Sequence, residues 1–249
     1  MNEELVKKLR YLRLPNLTAR WTDYIRQAST DTKLSHEKWL TQIVQDEYNH
    51  RKNNAAERRI KQANLPQKYT LDTYPFERQP KLNRKELLNL HDSLDYMRAP
   101  RNVIFMGPTG CGKTGLATSL LVNAIVHGHT GRYVLFQKLA ETLYHAIADH
   151  SENAVLDEYL RCDCLLLDEI GHLPLEQVQI GQLFHLIHQR HQQKRTTLIT
   201  TNLGFSQWDS FLQSKELASA LLDRLTEGSD IINMSACKSL RAKPRIISS

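Results

Sequence analysis

Gly107-Pro108-Thr109-Gly110-Cys111-Gly112-Lys113-Thr114 is the stretch on which the reading of this chain turns. It fits the pattern G-x-x-x-x-G-K-[ST], and its surroundings have the order that pattern requires. Val103-Ile104-Phe105-Met106 ahead of it is a short apolar run of strand type, and Leu116, Ala117, Leu120 and Leu121 open a helix behind it. Glycines allow successive backbone N–H groups to curl around an anion at a helix N-terminus, where unpaired donors and the helix dipole both favour negative charge. These eight positions are therefore the expected contacts to the phosphates of ATP, with Lys113 adding a point charge at the β- and γ-phosphates and the Thr114 hydroxyl available to magnesium.

A phosphate loop that holds magnesium needs a carboxylate at the end of a neighbouring strand. Cys164-Leu165-Leu166-Leu167-Asp168-Glu169 provides it. The apolar run explains a central strand, whereas two adjacent acids at its end have no packing rationale and are costly to bury uncompensated. Asp168 is read as the Mg2+ ligand, through water. Glu169 is read as the residue that orients and polarises an attacking water, which favours ATP hydrolysis over transfer to a second substrate.

From residue 81 onward, helical stretches alternate with apolar runs at 103–106, 133–136, 164–167, 197–200 and 231–232, the pattern of a parallel sheet covered by helices on both faces. The segment 139–160 is longer than one simple crossover and reads as two helices broken around Asp149-His150-Ser151. Residues 66–80 carry Pro66, Pro75 and Pro80 and read as a linker. Residues 1–65 read as a small all-α domain: Leu5, Leu9 and Leu12 recur at helical spacing, as do Leu17, Trp21, Tyr24, Ile25 and Ala28. A third helix capped by Ser35 has an apolar face of Trp39, Leu40, Ile43, Val44 and Tyr48.

The chain has 249 residues, 41% hydrophobic and 24% charged, which is ordinary for a globular protein. It has no apolar run of about 18 residues and no signal-peptide core at Met1 to Arg10, so a cytoplasmic protein without membrane partners is expected. Four cysteines do not make a disulfide framework in a chain this long and are read as reduced. The net charge of +6 is concentrated early, with 15 Lys and Arg against 10 Asp and Glu in residues 1–80. An anionic partner, most simply nucleic acid, is one reading and a solvated helix surface is the other. Arg51, Lys52, Arg58, Arg59 and Lys61 form the candidate DNA patch, since 51 and 58, like 52 and 59, lie two turns apart on one helix face.

The chain resembles the IstB-like ATPases, transposition helper proteins of one insertion-sequence class, and more distantly the DnaC helicase loaders. The residues that carry the likeness are Leu71 to Phe76, Gly107 to Ala117, Asp168 to Pro174, Thr200 to Leu203 and Asp223-Arg224-Leu225. The resemblance implies an AAA+ P-loop core with a five-stranded parallel sheet in the order 5-1-4-3-2, behind the helical N-terminal domain. It implies that Asn202 is a first sensor near the γ-phosphate, that Arg224 acts in a neighbouring subunit's site as an arginine finger, and that Arg241 is a second sensor. The family's Ser-Tyr-Arg setting for that last residue is Ser239-Leu240-Arg241 here. It further implies duplex DNA binding, assembly into a ring or spiral homo-oligomer and service to a cognate transposase. A helicase loader, and a nucleotide-gated DNA-binding oligomer with negligible hydrolysis, are the alternative functions.

Three other features invite roles that their spacing does not support. His185, His188 and His191 lack a fourth ligand and read as a polar helix face; Cys162 and Cys164 lack a second pair. Tyr74 and Phe76 read either as anchors packed on the core or as residues bordering the adenine.

Overall fold

The computed structural model describes residues 1–31, 34–148 and 150–241, so Asp149 lies outside the described residues. The chain divides into two compact units, Met1–Arg58 and Arg59–Ser249.

The first unit is helical. Helix α1 (Glu3–Tyr11) starts at Asn2, whose side chain accepts the Leu5 N–H, and it runs from Glu3 and Glu4 to Lys8 and Arg10, charges that suit the helix dipole. Helices α2 (Pro15–Ala19) and α3 (Trp21–Thr30) follow. Helix α4 (His36–Gln62) begins at Ser35, whose Oγ accepts the Lys38 N–H at 3.2 Å, the cap the sequence predicts. Its apolar stripe divides, however. Trp39 and Ile43 are half-buried, while Leu40, Val44 and Tyr48 are 56%, 67% and 59% exposed. One residue is a step of about 100° around a helix, so two adjacent stripes compete for the interior. The chain buries the one that contains Glu47, whose carboxylate accepts the Leu17 N–H at 2.9 Å and thereby satisfies a first-turn donor of α2.

The second unit is an α/β layer structure. Strands β1 (Val103–Met106), β2 (Gly131–Leu135), β3 (Cys164–Ile170), β4 (Thr196–Thr201) and β5 (Asp230–Asn233) form one five-stranded sheet in the order β2-β3-β4-β1-β5, with every neighbouring pair parallel. This is the expected order. Strand residues alternate between two cores. Val103, Phe105, Leu166 and Leu198 face α5 (Arg84–Ser93), α6 (Asp95–Arg98) and α7 (Lys113–Val126). Ile104, Leu165, Leu167 and Ile199 face α8 (Phe136–Ala148), α9 (Glu152–Arg161), α10 (Gln177–Gln192), α11 (Trp208–Phe211) and α12 (Lys215–Thr226). The long crossover does contain two helices, α8 ending at Ala148 and α9 starting at Glu152.

Residues 66–80 contain two single 3-10 turns, Leu71–Thr73 and Phe76–Arg78, so the prolines exclude α-helix as expected. The segment is nonetheless laid against the core: Leu71 is buried, Tyr74 and Phe76 pack on the α7 side of the sheet, and Gln79 is 2% exposed. No described helix is long and apolar enough to cross a membrane.

Candidate nucleotide site

The loop between β1 and α7 is shaped by two glycines and pinned from two sides. Gly110 and Gly112 have φ of +82° and +94°, a region that favours glycine. A Cβ on Gly112 would come within 2.6 Å of the Tyr74 ring, and one on Gly110 within 2.6 Å of Ser239 Oγ. On the first side, the Tyr74 hydroxyl donates to the Cys111 carbonyl at 2.8 Å. On the second, the strap that follows β5 returns over the loop: the Met234 N–H donates to the Met106 carbonyl at 2.7 Å and the Leu240 N–H to the Gly110 carbonyl at 2.8 Å. The buried Gln79 side chain clasps this strap, donating to the Lys238 carbonyl at 2.6 Å and accepting the Lys238 N–H at 3.0 Å. At the loop's end the first amides of α7 have no intrahelical acceptor and face the anion the loop is built for.

Lys113 Nζ donates to the carbonyls of Gly107 and Pro108 at 2.7 and 2.8 Å. Burial pulls its pKa below that of an ordinary lysine; Cys111, Asp168 and Glu169 oppose that shift and Arg241 adds to it.

Asp168 is 2% exposed and, among the described residues, its carboxylate is held by hydroxyls alone. It accepts from Thr114 Oγ1 at 2.9 Å, Thr200 Oγ1 at 2.6 Å and the Tyr133 hydroxyl at 3.0 Å. Burial, and then the charge of Asp168, push the Tyr133 phenol well above its usual range, so it stays a donor. No lysine or arginine pairs with Asp168 among the described residues. The next residue differs in every respect. Glu169 has φ of +62°, sits where the β3–β4 register slips between Leu167 and Ile170, and lines the cavity. Its carboxylate makes no hydrogen bond or ion pair among the described residues.

The cavity has a volume of about 350 Å3 and is bordered by the loop, Glu169, His172, Asn202, Arg241, Tyr69, Thr70, Thr73 and Tyr74. Its lining joins the backbone donors at the helix N-terminus, which favour an anion, with aromatic side chains, Tyr69 and Tyr74, a combination that suits a nucleotide. Thr114 and Asp168 are a pair of oxygen donors in hydrogen-bond contact, which suits a hard cation. Among the described residues no group of three or more His, Cys, Asp or Glu side chains is placed to hold a metal. Magnesium here would therefore take its remaining oxygens from phosphate and water, as that ion commonly does.

Of the residues picked out by sequence, Gly107, Pro108, Thr109, Gly110, Cys111, Gly112, Lys113, Thr114, Asp168, Glu169, Asn202 and Arg241 converge on the loop and its cavity. Arg224 does not. It lies on α12, its guanidinium 5.1 Å from the centre of the Phe184 ring and its Nε donating to His188 Nδ1 at 3.1 Å. That contact, with His191 3.2 Å from Glu227, accounts for part of the histidine face. All four cysteines are buried and free.

The basic residues separate into two kinds. Arg51 lies 3.5 Å from the buried Glu47 and donates to the Arg13 carbonyl, and Arg59 donates to the Ile125 carbonyl at 3.2 Å, capping the end of α7. Lys52, Arg58 and Lys61 are exposed and carry no ion pair among the described residues.

Sequence reasoning assigned no role to Thr200, Tyr133 or Gln79, and left Tyr74 between two readings that the structure combines: it is packed on the core and also borders the cavity. One signal was available. Thr200-Thr201 at the end of a central strand places two hydroxyls where apolar side chains are the rule.

The sequence profile described as IstB-like ATP binding protein matches residues 7–248. The protein named as the ATP-binding protein of insertion sequence IS21 in Pseudomonas aeruginosa is 33% identical over 231 residues, spanning 93% of this chain and 86% of that one. Its counterpart in insertion sequence IS232 of Bacillus thuringiensis subsp. berliner is 30% identical over 232 residues, spanning 93% and 92%. Among solved structures, the DnaC helicase loader superposes with a TM-score of 0.52 at 20% identity, covering 69% of this chain and 96% of that one, a likeness of fold.

Proposed function

Because the chain belongs to the family of IstB-like ATP-binding proteins, we propose that it is a magnesium-dependent ATPase that assembles as a homo-oligomer on duplex DNA and serves a transposase in insertion-sequence transposition. The observation that carries the catalytic part is the contrast between the adjacent acids: Asp168 is buried against the Thr114 hydroxyl, while Glu169 lines the cavity with its carboxylate uncommitted.

In this reading the loop amides and Lys113 bind and orient the phosphates, and Thr114 with Asp168 holds the magnesium. When bound, the ion neutralises charge on the β- and γ-phosphate oxygens. Glu169 orients a water for in-line attack on the γ-phosphorus and takes up its proton; the bond to the β-phosphate oxygen breaks and ADP leaves. Asn202 polarises the same water or the γ-phosphate from the end of β4, and Arg241 approaches the phosphates from the strap. Arg224, which lies off its own chain's cavity, completes the site of a neighbouring subunit. Assembly then controls hydrolysis. The helical N-terminal part supplies the DNA surface through Lys52 and Arg58, in contacts to phosphate that confer affinity and salt dependence without base specificity.

Steady-state phosphate release with magnesium, with and without duplex DNA, tests this. Glu169→Gln is expected to keep nucleotide binding and lower turnover about 10²- to 10⁴-fold. A folded protein that binds ATP on DNA and releases no phosphate would instead be a nucleotide-gated binding module.

A further inference from the structure

The two acids at the end of β3 share one side chain. Thr200 is fully buried in β4, and its hydroxyl donates to Asp168 Oδ1 at 2.6 Å while accepting the Glu169 N–H at 2.9 Å. The strand register explains why. Leu167 stands opposite Ile199 and Ile170 opposite Thr201, so Asp168 and Glu169 together face Thr200 alone. Such a bulge interrupts the ladder and leaves an amide without its regular acceptor. Here a side-chain oxygen takes the place of that acceptor. A threonine hydroxyl has a single hydrogen, and an ionised carboxylate can only accept, so the hydrogen points to Asp168 and a lone pair receives the Glu169 amide. The adjacent Thr201 hydroxyl is spent differently, donating to the Ile170 carbonyl and accepting the Leu203 N–H.

Resting on the reading of Asp168 and Glu169 given above, we propose that Thr200 is a positioning residue for hydrolysis: its hydroxyl fixes the rotation of the Asp168 carboxylate and the left-handed backbone of Glu169 together. The metal-holding acid and the water-orienting acid are thereby set in one geometry by one atom. Tyr133, which donates to the other Asp168 oxygen at 3.0 Å, braces the carboxylate but has no bond to Glu169.

Thr200→Val keeps the shape and loses the hydroxyl; Thr200→Ser keeps the hydroxyl and loses the methyl. A packing role ranks Val above Ser, and a positioning role ranks Ser above Val. With Thr200→Val, turnover is expected to fall about 10- to 100-fold, and the magnesium concentration that half-saturates binding of a fluorescent ATP analogue to rise about 3- to 10-fold. ADP affinity without magnesium should stay within about twofold, and backbone exchange in a peptide spanning residues 165–172 of the nucleotide-free protein should quicken. Thr200→Ser should lie near the unsubstituted protein in all of these, and Tyr133→Phe should weaken the magnesium response without quickening that exchange. Should the Val variant fail to fold, Thr200→Ala, which also lacks the hydroxyl and leaves room, replaces it against Ser. Ser performing worse than Val, or Val keeping pace with the unsubstituted protein, overturns the proposal alone. Absence of hydrolysis by the unsubstituted protein overturns the function proposed above, and this inference with it.

Discussion

Two carboxylates lie buried in two different parts of this molecule, and their company separates structure from chemistry. Glu47 in the helical unit is met by a backbone amide and by the guanidinium of Arg51. Asp168 at the end of β3 is met by three hydroxyls and no cation among the described residues. A buried charge whose counter-charge comes from its own chain is part of the scaffold, since removing either partner leaves the other stranded. A buried charge whose hydrogen-bond donors are all neutral, at the edge of a cavity, is oriented by those donors, while the charge of Lys113 acts on it from beyond pairing distance. In the function proposed above, it is placed for a cation that the chain does not itself supply.

The strongest way to break this comparison is to remove the foreign charge proposed to complete the cavity that Asp168 borders. Arg224→Ala is expected to cost about 10³-fold in phosphate release with nucleotide affinity largely kept. Mixing it with Glu169→Gln subunits should restore part of the activity, because one subunit can lend what the other lacks; activity undiminished in Arg224→Ala would exclude a role across subunits. Next, Asp168→Asn should lower hydrolysis about 10²- to 10³-fold while leaving the thermal midpoint of the nucleotide-free protein unchanged or raised. A marked drop in that midpoint would make Asp168 a scaffold residue after all. Glu47→Ala should do the reverse of Asp168→Asn, destabilising the helical unit by about 1–3 kcal/mol in denaturant unfolding through the stranded Leu17 amide and the loss of the Arg51 pair. The smallest effect sharpens the comparison between sequence neighbours. Lys52→Ala should reduce the salt slope of duplex binding by about one and spare stability, whereas Arg51→Ala should lower stability and leave the slope nearly unaltered.

The phosphate loop and the acidic pair were legible because their chemistry is local: each is a run of adjacent residues whose types make no sense as packing. The strands were legible for a related reason, being short apolar runs between turn signals, and the family resemblance gave their order. The rest depended on contacts that cross the sequence. Residues 66–80 read as a linker because three prolines and scattered polar side chains have no period, yet Tyr74 by one bond and Gln79 by a pair of bonds fasten them to main-chain groups of the loop and the strap far away in sequence. The periodicity of α4 announced an amphipathic helix but could not choose between stripes one residue apart, since the choice lay with an amide of α2. Arg59 shows the same limit. Its spacing from Lys52 placed it in a basic patch, and only the fold reveals that it caps α7.

The backbone of Glu169 carries a further lesson. A side chain held at φ of +62° costs on the order of 1 kcal/mol that glycine would not. Selection for heat resistance alone would thus be drawn to replace this residue with glycine, and the hardier protein that emerged would lack the carboxylate to which the proposed hydrolysis assigns the attacking water.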